Sequence, residues 1–192
     1  MFPATIRLGE LPGGVMLLRG LVLRGLGVFL AAALLCGCET ARSGLDYSET
    51  LRKIGPPKAG QVRVVVLREK GYGGIADAGF AFTLDGSPMK DLKTGTYLYA
   101  DRPAGQHQFV AEEAALGTTR VDFSAQSGQT VFFVVRMSER KTAMIANSST
   151  GVLGWGLTLA MTSGYKNQGP LDFMALDEQA ARTTIAELRL AE

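Results

Sequence analysis

Histidine, cysteine and tryptophan are scarce in this sequence. His107 is the only histidine, Trp155 is the only tryptophan, and Cys36 and Cys38 are the only cysteines among 192 residues. A structural zinc site takes four Cys or His ligands, so the sequence predicts no metal site, and it carries no recognisable cofactor motif. Because both cysteines lie near the start of the chain, we expect no disulfide within the remainder.

An excess of charge of one sign is also missing. The chain has 20 Lys and Arg against 18 Asp and Glu. Residues 1–37 hold three of the basic side chains and one of the acidic ones, so the rest of the chain is neutral. A nucleic-acid-binding surface needs a patch or stripe of basic residues. We therefore expect no nucleic-acid partner.

The apolar run in residues 26–35, LGVFLAAALL, is too short to cross a bilayer as a helix, which takes about 20 residues. Arg19 and Arg24 precede this run, and small residues follow it. A positive start, a short apolar core and a small residue are the order of a signal peptide. We expect residues 1–37 to be a leader, which has a more usual length if it starts at Met16 rather than Met1.

The end of this leader carries a more specific pattern. Residues 35–38, Leu-Cys-Gly-Cys, resemble the lipobox of bacterial lipoproteins. The resemblance implies that Cys38 receives diacylglycerol, becomes the new N-terminus after cleavage and is acylated with fatty acids such as palmitate. Two or more acyl chains anchor a protein stably, whereas one does so only marginally. Glu39 follows the cysteine where many inner-membrane lipoproteins have Asp, which implies an outer-membrane anchor facing the periplasm. The alternative is an ordinary secretory leader with an incidental cysteine.

The remainder divides into a polar tether and a β-rich domain. Residues 38–60 are polar and end in a Pro-Pro-Lys-Ala-Gly breaker, with a short helix through Ile54 that Asp46 or Ser48 can cap. From residue 61 on, short apolar runs alternate with Gly and Pro turns, as in a β-sandwich or barrel. Residues 61–68 (QVRVVVLR) predict a strand buried on both faces. Further strands are predicted at 79–84, 89–92, 96–100, 106–112, 118–124, 130–137 and 171–176.

A C-terminal helix completes the predicted domain, which we assign to residues 61–192. Asp177 is placed to cap this helix, and Ala181, Ile185 and Leu188 form an apolar stripe at helical spacing, so we expect a helix through Leu190.

A family resemblance supports this fold. It rests on short elements in a fixed order, namely Pro57–Gly60, Val65–Arg68, Leu84-Asp85-Gly86, Leu92–Tyr97 and Pro103–His107. In this order they resemble the bacterial family described as domain of unknown function 2846. The resemblance is close over about sixty residues and looser through Met137. It implies a prealbumin-like β-sandwich in exported or lipid-anchored proteins, and it brings no catalytic residues.

Two candidate sites have both structural and functional interpretations. His107 stands at a strand start, where we expect it to hydrogen-bond nearby backbone or a tyrosine hydroxyl. The alternative is a site residue that acts with Tyr97 and Tyr99. Residues 151–163, GVLGWGLTLAMTS, are apolar and glycine-rich. We expect this segment to be a buried helix or loop that covers the sandwich. The alternative is an exposed patch, with Leu153, Trp155 and Leu157, that contacts lipid or a partner protein.

The sequence as a whole favours a non-enzymatic module of the cell envelope over an enzyme. Its leading interpretation is a lipid-anchored protein that binds or organises other envelope proteins through strand edges or the apolar segment. A purely structural accessory is a variant of this interpretation. The alternative is a periplasmic small-ligand binder or enzyme that uses His107.

Overall fold

A computed structural model describes residues 44–71 and 79–192. The predicted leader, Cys38 and the first residues of the tether lie outside the described residues. The described elements are α1 (Tyr47–Ile54), β1 (Gln61–Arg68), β2 (Thr83–Leu84), β3 (Ser87–Pro88), β4 (Thr96–Pro103), β5 (Gly105–Glu113), β6 (Gly117–Ala125), β7 (Thr130–Met137), α2 (Glu139–Ala146), a 3-10 turn (Ser148–Thr150), α3 (Gly151–Met161), β8 (Leu171–Leu176), α4 (Glu178–Ile185) and β9 (Arg189–Leu190).

Two sheets pack face to face, which confirms the predicted β-sandwich. The larger sheet has the strand order β8-β7-β1-β4-β9, and the smaller one has the order β3-β2-β5-β6. Aromatic rings fill the space between them: the rings of Phe109 and Phe173 stack with centroids 4.7 Å apart, and Phe133 meets Phe109 edge-on. Such pairs add roughly 0.5–1.5 kcal/mol each to the burial of their apolar area.

Strand β1 is the centre of the larger sheet and is buried on both faces, as its continuous apolar sequence predicts. It pairs with β4 antiparallel and with β7 parallel. Val64 and Val66 point into the inter-sheet core. Val65 and Leu67 point to the other face of the sheet and pack in a second core with Tyr97. Apolar side chains from α1 and α4 cover this second face.

Helix α1 begins at the predicted cap, Asp46. The Asp46 carboxylate accepts a hydrogen bond from the backbone N–H of Glu49, and the Glu49 side chain accepts one from the backbone N–H of Asp46. This reciprocal capping box satisfies two N–H groups that the helix itself cannot. The same bond from Glu49 lowers the pKa of Asp46. The helix places Tyr47 edge-on against the rings of Tyr97 and Phe132.

The C-terminal helix is shorter than predicted. Asp177 caps it as expected, but α4 ends at Ile185 instead of Leu190. Residues 189 and 190 form strand β9, which pairs in parallel with Thr96 and Tyr97 of β4. The prediction was wrong because the spacing of Ala181, Ile185 and Leu188, all of them buried, is typical of a continuing helix. In the folded sheet the edge of β4 is free to pair, and residues 189 and 190 pair with it instead.

The β2–β3 hairpin also differs from the prediction, which placed the return strand at residues 89–92. The turn at Asp85-Gly86 has positive φ at both residues, 53° and 72°. A two-residue turn of this kind brings its neighbours into immediate pairing, so Thr83 faces Pro88 and the return strand is Ser87–Pro88.

Candidate contact surface

A helical pair, α2 and α3, interrupts the sandwich between β7 and β8. Ser138 joins this pair to the domain: its buried hydroxyl caps α2 by accepting from the backbone N–H of Lys141 and donates to the carbonyl of Gly169. Helix α2 was not predicted, because its sequence, ERKTAMIA, has only a weak apolar face. Residues 142–165, which include most of the pair, contain no Asp, Glu, Lys or Arg.

Helix α3 turns its apolar side chains outward, contrary to the expected burial of residues 151–163. Val152 and Leu153 are each 88% exposed, Leu157 is 63% exposed and Met161 is 73% exposed. Trp155 is 43% exposed. We expected a buried helix or loop. The segment is indeed helical, but its large apolar side chains do not cover the sandwich. They form a surface that we call the α3 face, defined by Val152, Leu153, Leu157 and Met161.

The fully buried side chains on the inward side of α3 are polar, and Leu159 is half-buried. Thr158 and Thr162 are both buried. Each threonine hydroxyl donates to the carbonyl four residues before it, Thr158 to Gly154 and Thr162 to Thr158. The Asn147 side-chain amide donates to the Thr158 hydroxyl at 3.0 Å. Helix α3 therefore has the reverse of the usual polarity, with hydroxyls inside and hydrocarbon outside.

Gly154 allows the turn that leads into α3 to pack closely. A Cβ atom at this position would lie 1.5 Å from the Thr150 hydroxyl and 3.0 Å from the Asn147 carbonyl oxygen. Both groups belong to the connection between α2 and α3. Any larger side chain would therefore push this connection away from the helix.

Trp155 lies at the border between the α3 face and the domain. Its ring borders a small pocket whose other walls include Leu116, Met144 and Ile145. The ion pair between Lys141 and Glu113 lies beside the same pocket, with 2.5 Å between its nitrogen and oxygen. The half-exposed indole is thus supported on one side by the domain and open on the other.

The described chain begins at the same end of the sandwich as the helical pair. One row of paired residues crosses the larger sheet through Val134, Leu67, Tyr97 and Leu190. The backbone N–H of Leu190 donates to the carbonyl of Leu45, which extends the row to the first described residues. Strand β7 continues only three residues beyond this row before α2 follows, a distance of about 10 Å along a strand.

His107 is held in the smaller sheet rather than presented at a surface. Its side chain is 4% exposed, and its Nδ1 atom lies 2.9 Å from the carboxylate of Asp85 in the β2–β3 turn. The other carboxylate oxygen of Asp85 accepts from the backbone N–H of Gln108. The imidazole also packs on the ring of Phe123 at 5.3 Å. Within the described residues its Nε2 atom has no hydrogen-bond partner. These contacts tie the turn to β5.

Tyr97 and Tyr99 belong to the helix-covered face of the larger sheet, so the structure does not bring them together with His107. The Tyr97 hydroxyl lies among the carbonyls of Leu45 and Asp46 and the hydroxyl of Thr50. Burial raises the pKa of Tyr97 to about 12. Tyr99 instead lies under the guanidinium of Arg63, whose carbon is 5.3 Å from the ring centre.

Arg63 is a buried cation that sequence reasoning did not single out. Its guanidinium donates two hydrogen bonds to the Asp101 carboxylate, at 2.7 and 2.8 Å, and a third to the carbonyl of Gly55. The bonds to Asp101 raise the pKa of Arg63. Because β1 and β4 place residues 63 and 101 opposite each other, only the register of the sheet shows that the two are partners.

A cleft of about 1070 Å³ is lined by residues of β6, β7 and β8 together with residues of α1 and α4. Its walls combine aromatic rings, such as Phe123 and Phe173, with the charged side chains of Arg63, Arg182 and Glu178. His107 is not among the lining residues. In the described part of the chain no three His, Cys, Asp or Glu residues are grouped to hold a metal ion.

No described helix is long and apolar enough to cross a membrane. No family model matches the chain, and no curated protein or solved structure is significantly similar to it. The resemblance to the family of unknown function, the lipobox and the site residues therefore stay predictions.

Proposed function

We propose that this protein is a lipid-anchored, non-enzymatic module of the cell envelope that acts by contact through the α3 face. Acyl chains on Cys38 hold it on the outer membrane, facing the periplasm. The lipobox pattern at residues 35–38 supports the anchor, and the Glu39 that follows it supports the outer membrane.

The proposal of a contact role rests on the outward apolar face of α3. Fully burying a side chain the size of Val, Leu or Met is worth roughly 1.5–3 kcal/mol. In the described structure Val152, Leu153, Leu157 and Met161 leave most of that free energy unused. Contiguous apolar patches on a protein surface mark sites of protein or membrane interaction. A surface that costs solubility and that folding does not use is best explained by a contact.

Metabolic labelling tests the anchor. Cells that express the full chain are grown with a labelled fatty acid, and the wild type is compared with Cys38→Ala and with Cys36→Ala as a matched control. We expect label on the wild type and on Cys36→Ala but not on Cys38→Ala. Equal labelling of Cys38→Ala and the wild type contradicts the anchor.

Photo-cross-linking in cells tests the contact. A photoreactive amino acid is placed at Leu157 on the α3 face or, as a control, at Met174, which is 39% exposed on the edge strand β8. We expect adducts with lipid or protein to be several-fold more abundant from position 157. Equal yields from the two positions contradict the contact role.

The second candidate function, a periplasmic small-ligand binder, is favoured by the cleft between β6 and β8. Aromatic rings beside the exposed guanidinium of Arg182 suit an apolar ligand with an anionic group. Ser124 is exposed and borders the cleft, so Ser124→Trp obstructs part of the cleft without altering the core. Native mass spectrometry of the purified protein should then reveal a ligand on the wild type but not on this variant. A wild type that carries no ligand would count against this function.

A further inference from the structure

The outward side of α3 presents no side-chain hydroxyl that would need a hydrogen bond from water. Its threonine hydroxyls are turned inward, and each is satisfied by a carbonyl of the same helix. This is how hydroxyl groups are accommodated where a helix faces hydrocarbon, since lipid offers no hydrogen-bond partner. The α3 face itself is made of Val152, Leu153, Leu157 and Met161.

Along the sequence, the charged residues nearest to α3 are Lys141 in α2 and Lys166. Residues 142–165 carry no charged side chain, whereas Lys141 and Lys166 flank them. Charged side chains are strongly disfavoured within the hydrocarbon layer. Lys141 is paired with Glu113, and a flanking lysine such as Lys166 can extend towards the headgroups. The charge pattern is therefore compatible with lipid contact along the whole of α3.

The spacing of the apolar side chains fits a helix that lies in the plane of the membrane. Leu153, Leu157 and Met161 recur every four residues and so form one ridge along the helix. An interfacial helix usually has a polar side towards water. In α3 that side packs against α2 instead, where Asn147 at the end of α2 donates to the buried hydroxyl of Thr158. Trp155 lies on the opposite side of α3 from this ridge, towards Leu116 and Met144, with its side chain still 43% exposed.

The short connection between Cys38 and the described domain favours lipid as the partner of the α3 face. Gly44 is six residues after Cys38, so the connecting chain spans at most about 20 Å. Leu45 lies in the same row of the larger sheet as Val134, three residues before β7 ends. The helical pair follows directly from that strand end. A lipid anchor on Cys38 would therefore hold the membrane within reach of the end of the sandwich that carries α3.

We propose that α3 lies in the outer part of the bilayer to which the acyl chains of Cys38 hold the protein. Leu153, Leu157 and Met161 contact the lipid, and the sandwich stands on the membrane with its α2–α3 end down. This inference rests on the proposed lipid anchor and names the bilayer as the partner of the α3 face. The occupant is a lipid surface, not a second copy of the chain or another protein.

Quenching of the single native tryptophan by labelled lipids tests the inference. The full-length acylated protein is purified in detergent and reconstituted into vesicles of phosphatidylethanolamine and phosphatidylglycerol at a ratio of about 3:1, a mixture of neutral and anionic headgroups. Phospholipids with a nitroxide at a shallow or a deep acyl position are added in parallel. We expect Trp155 emission to be blue-shifted and quenched, more strongly by the shallow nitroxide.

Matched variants separate lipid contact from mere proximity. Leu153→Asn with Leu157→Asn removes the centre of the ridge, so it should shift Trp155 emission to the red and lower its quenching several-fold at unchanged circular dichroism. Trp155→Phe with Met174→Trp moves the indole to the edge of β8, where we expect no quenching. The variant Trp155→Phe with Leu157→Trp should restore quenching, now stronger from the deep nitroxide.

The outcomes distinguish this inference from the proposed function. The mass of the N-terminal peptide reports acylation independently of Trp155. An acylated protein that floats with the vesicles but whose Trp155 is not quenched overturns membrane contact and leaves the anchor intact. Unquenched Trp155 together with cross-links between copies also overturns it, because a second chain then covers the α3 face. A peptide without acyl groups contradicts the anchor itself.

Discussion

The hydroxyl groups of Tyr97 on β4 and Thr50 on α1 hydrogen-bond to each other between the larger sheet and the helix that covers it. Both residues are buried, and the Tyr97 hydroxyl also faces the carbonyls of Leu45 and Asp46. One phenol thereby ties the start of the described chain to the sheet. An ionised Tyr97 could not donate to these carbonyls, so this junction depends on the protonated form.

We therefore predict that the protein loses stability at alkaline pH through Tyr97. The pKa of this group is about 12 in the folded protein, above the value of about 10 for an unperturbed tyrosine. Its stabilising contribution is fully present below pH 10, declines as the pH rises from about 10 to 12, and amounts to at most roughly 2–3 kcal/mol. Denaturant unfolding at a series of pH values measures it.

Tyr97→Phe should weaken this decline, and Tyr165→Phe, at an exposed position, is the control that should leave it unchanged. Some alkaline sensitivity will remain in Tyr97→Phe, because burial also raises the pKa of Tyr47. An identical pH dependence in the wild type and in Tyr97→Phe would show that Tyr97 does not couple ionisation to folding.

The ion pair between Arg63 and Asp101 should be the most costly polar interaction to break. Asp101→Ala leaves the guanidinium of Arg63 buried beside Tyr99 without a carboxylate. We expect a loss of roughly 2–4 kcal/mol in the free energy of unfolding, somewhat below the usual cost for a fully buried pair because Asp101 is partly exposed. Chemical denaturation of the two proteins gives this difference.

Two controls accompany that measurement. The exposed pair between Arg136 and Glu69 provides Glu69→Ala, which should cost no more than about 1 kcal/mol. Combining Arg63→Met with Asp101→Ala should recover part of the lost stability, since no charge is then left unpaired. Equal costs for Asp101→Ala and Glu69→Ala would contradict the role assigned to the buried pair.

His107 should matter for stability and not for attachment to the envelope. His107→Ala removes the bond to Asp85 and the contact with Phe123, so we expect the free energy of unfolding to fall by roughly 1–3 kcal/mol. Gln108→Ala, which removes an exposed bond to Asp122, serves as the control with a smaller effect. A loss of fatty-acid labelling or of envelope contact at unchanged melting temperature would assign His107 a functional role instead.

The α3 face should contribute little to folding. Leu153→Asn with Leu157→Asn changes only exposed side chains, so the melting temperature should stay the same or rise slightly. Thr158→Leu, on the buried side of the same helix, should lower it, because the new side chain lacks the bonds to Gly154 and Asn147 and does not fit the space. A larger loss from the double variant than from Thr158→Leu would mean that α3 packs on the domain through its apolar side.

The pattern of apolar residues in the sequence predicts the strands of the sandwich well wherever that pattern fits only one kind of element. The continuous apolar run of β1 requires cover on both faces, and the structure provides it with the second sheet and with α1 and α4. Residues 189 and 190 were assigned wrongly because their helical pattern continues that of α4, whereas the free edge of β4 decides their conformation. That edge exists only in the folded sheet, so local sequence patterns do not reveal it.

The candidate site was less predictable for physical reasons. An apolar segment between polar ones is usual for a core element, and composition does not indicate which way such a segment faces. In α3 the direction is set by Thr158 and Thr162, whose hydroxyls fit against their own helix, and by Gly154, which lets the preceding turn approach. The pair of Arg63 and Asp101 depends on strand register and on the placement of Gly55, which the local sequence does not specify.

The most direct test of the account is the depth of position 157 in the membrane. In an acylated chain from which the leader with Cys36 has been removed and in which Cys38 carries lipid, Leu157→Cys provides a single free thiol for a nitroxide label. Met174→Cys provides the matched control. In phospholipid vesicles, electron paramagnetic resonance should find the label at 157 more accessible to dissolved oxygen than to a water-soluble nickel complex, and the reverse at 174. Greater accessibility of the label at 157 to the nickel complex, at full acylation, would contradict the account.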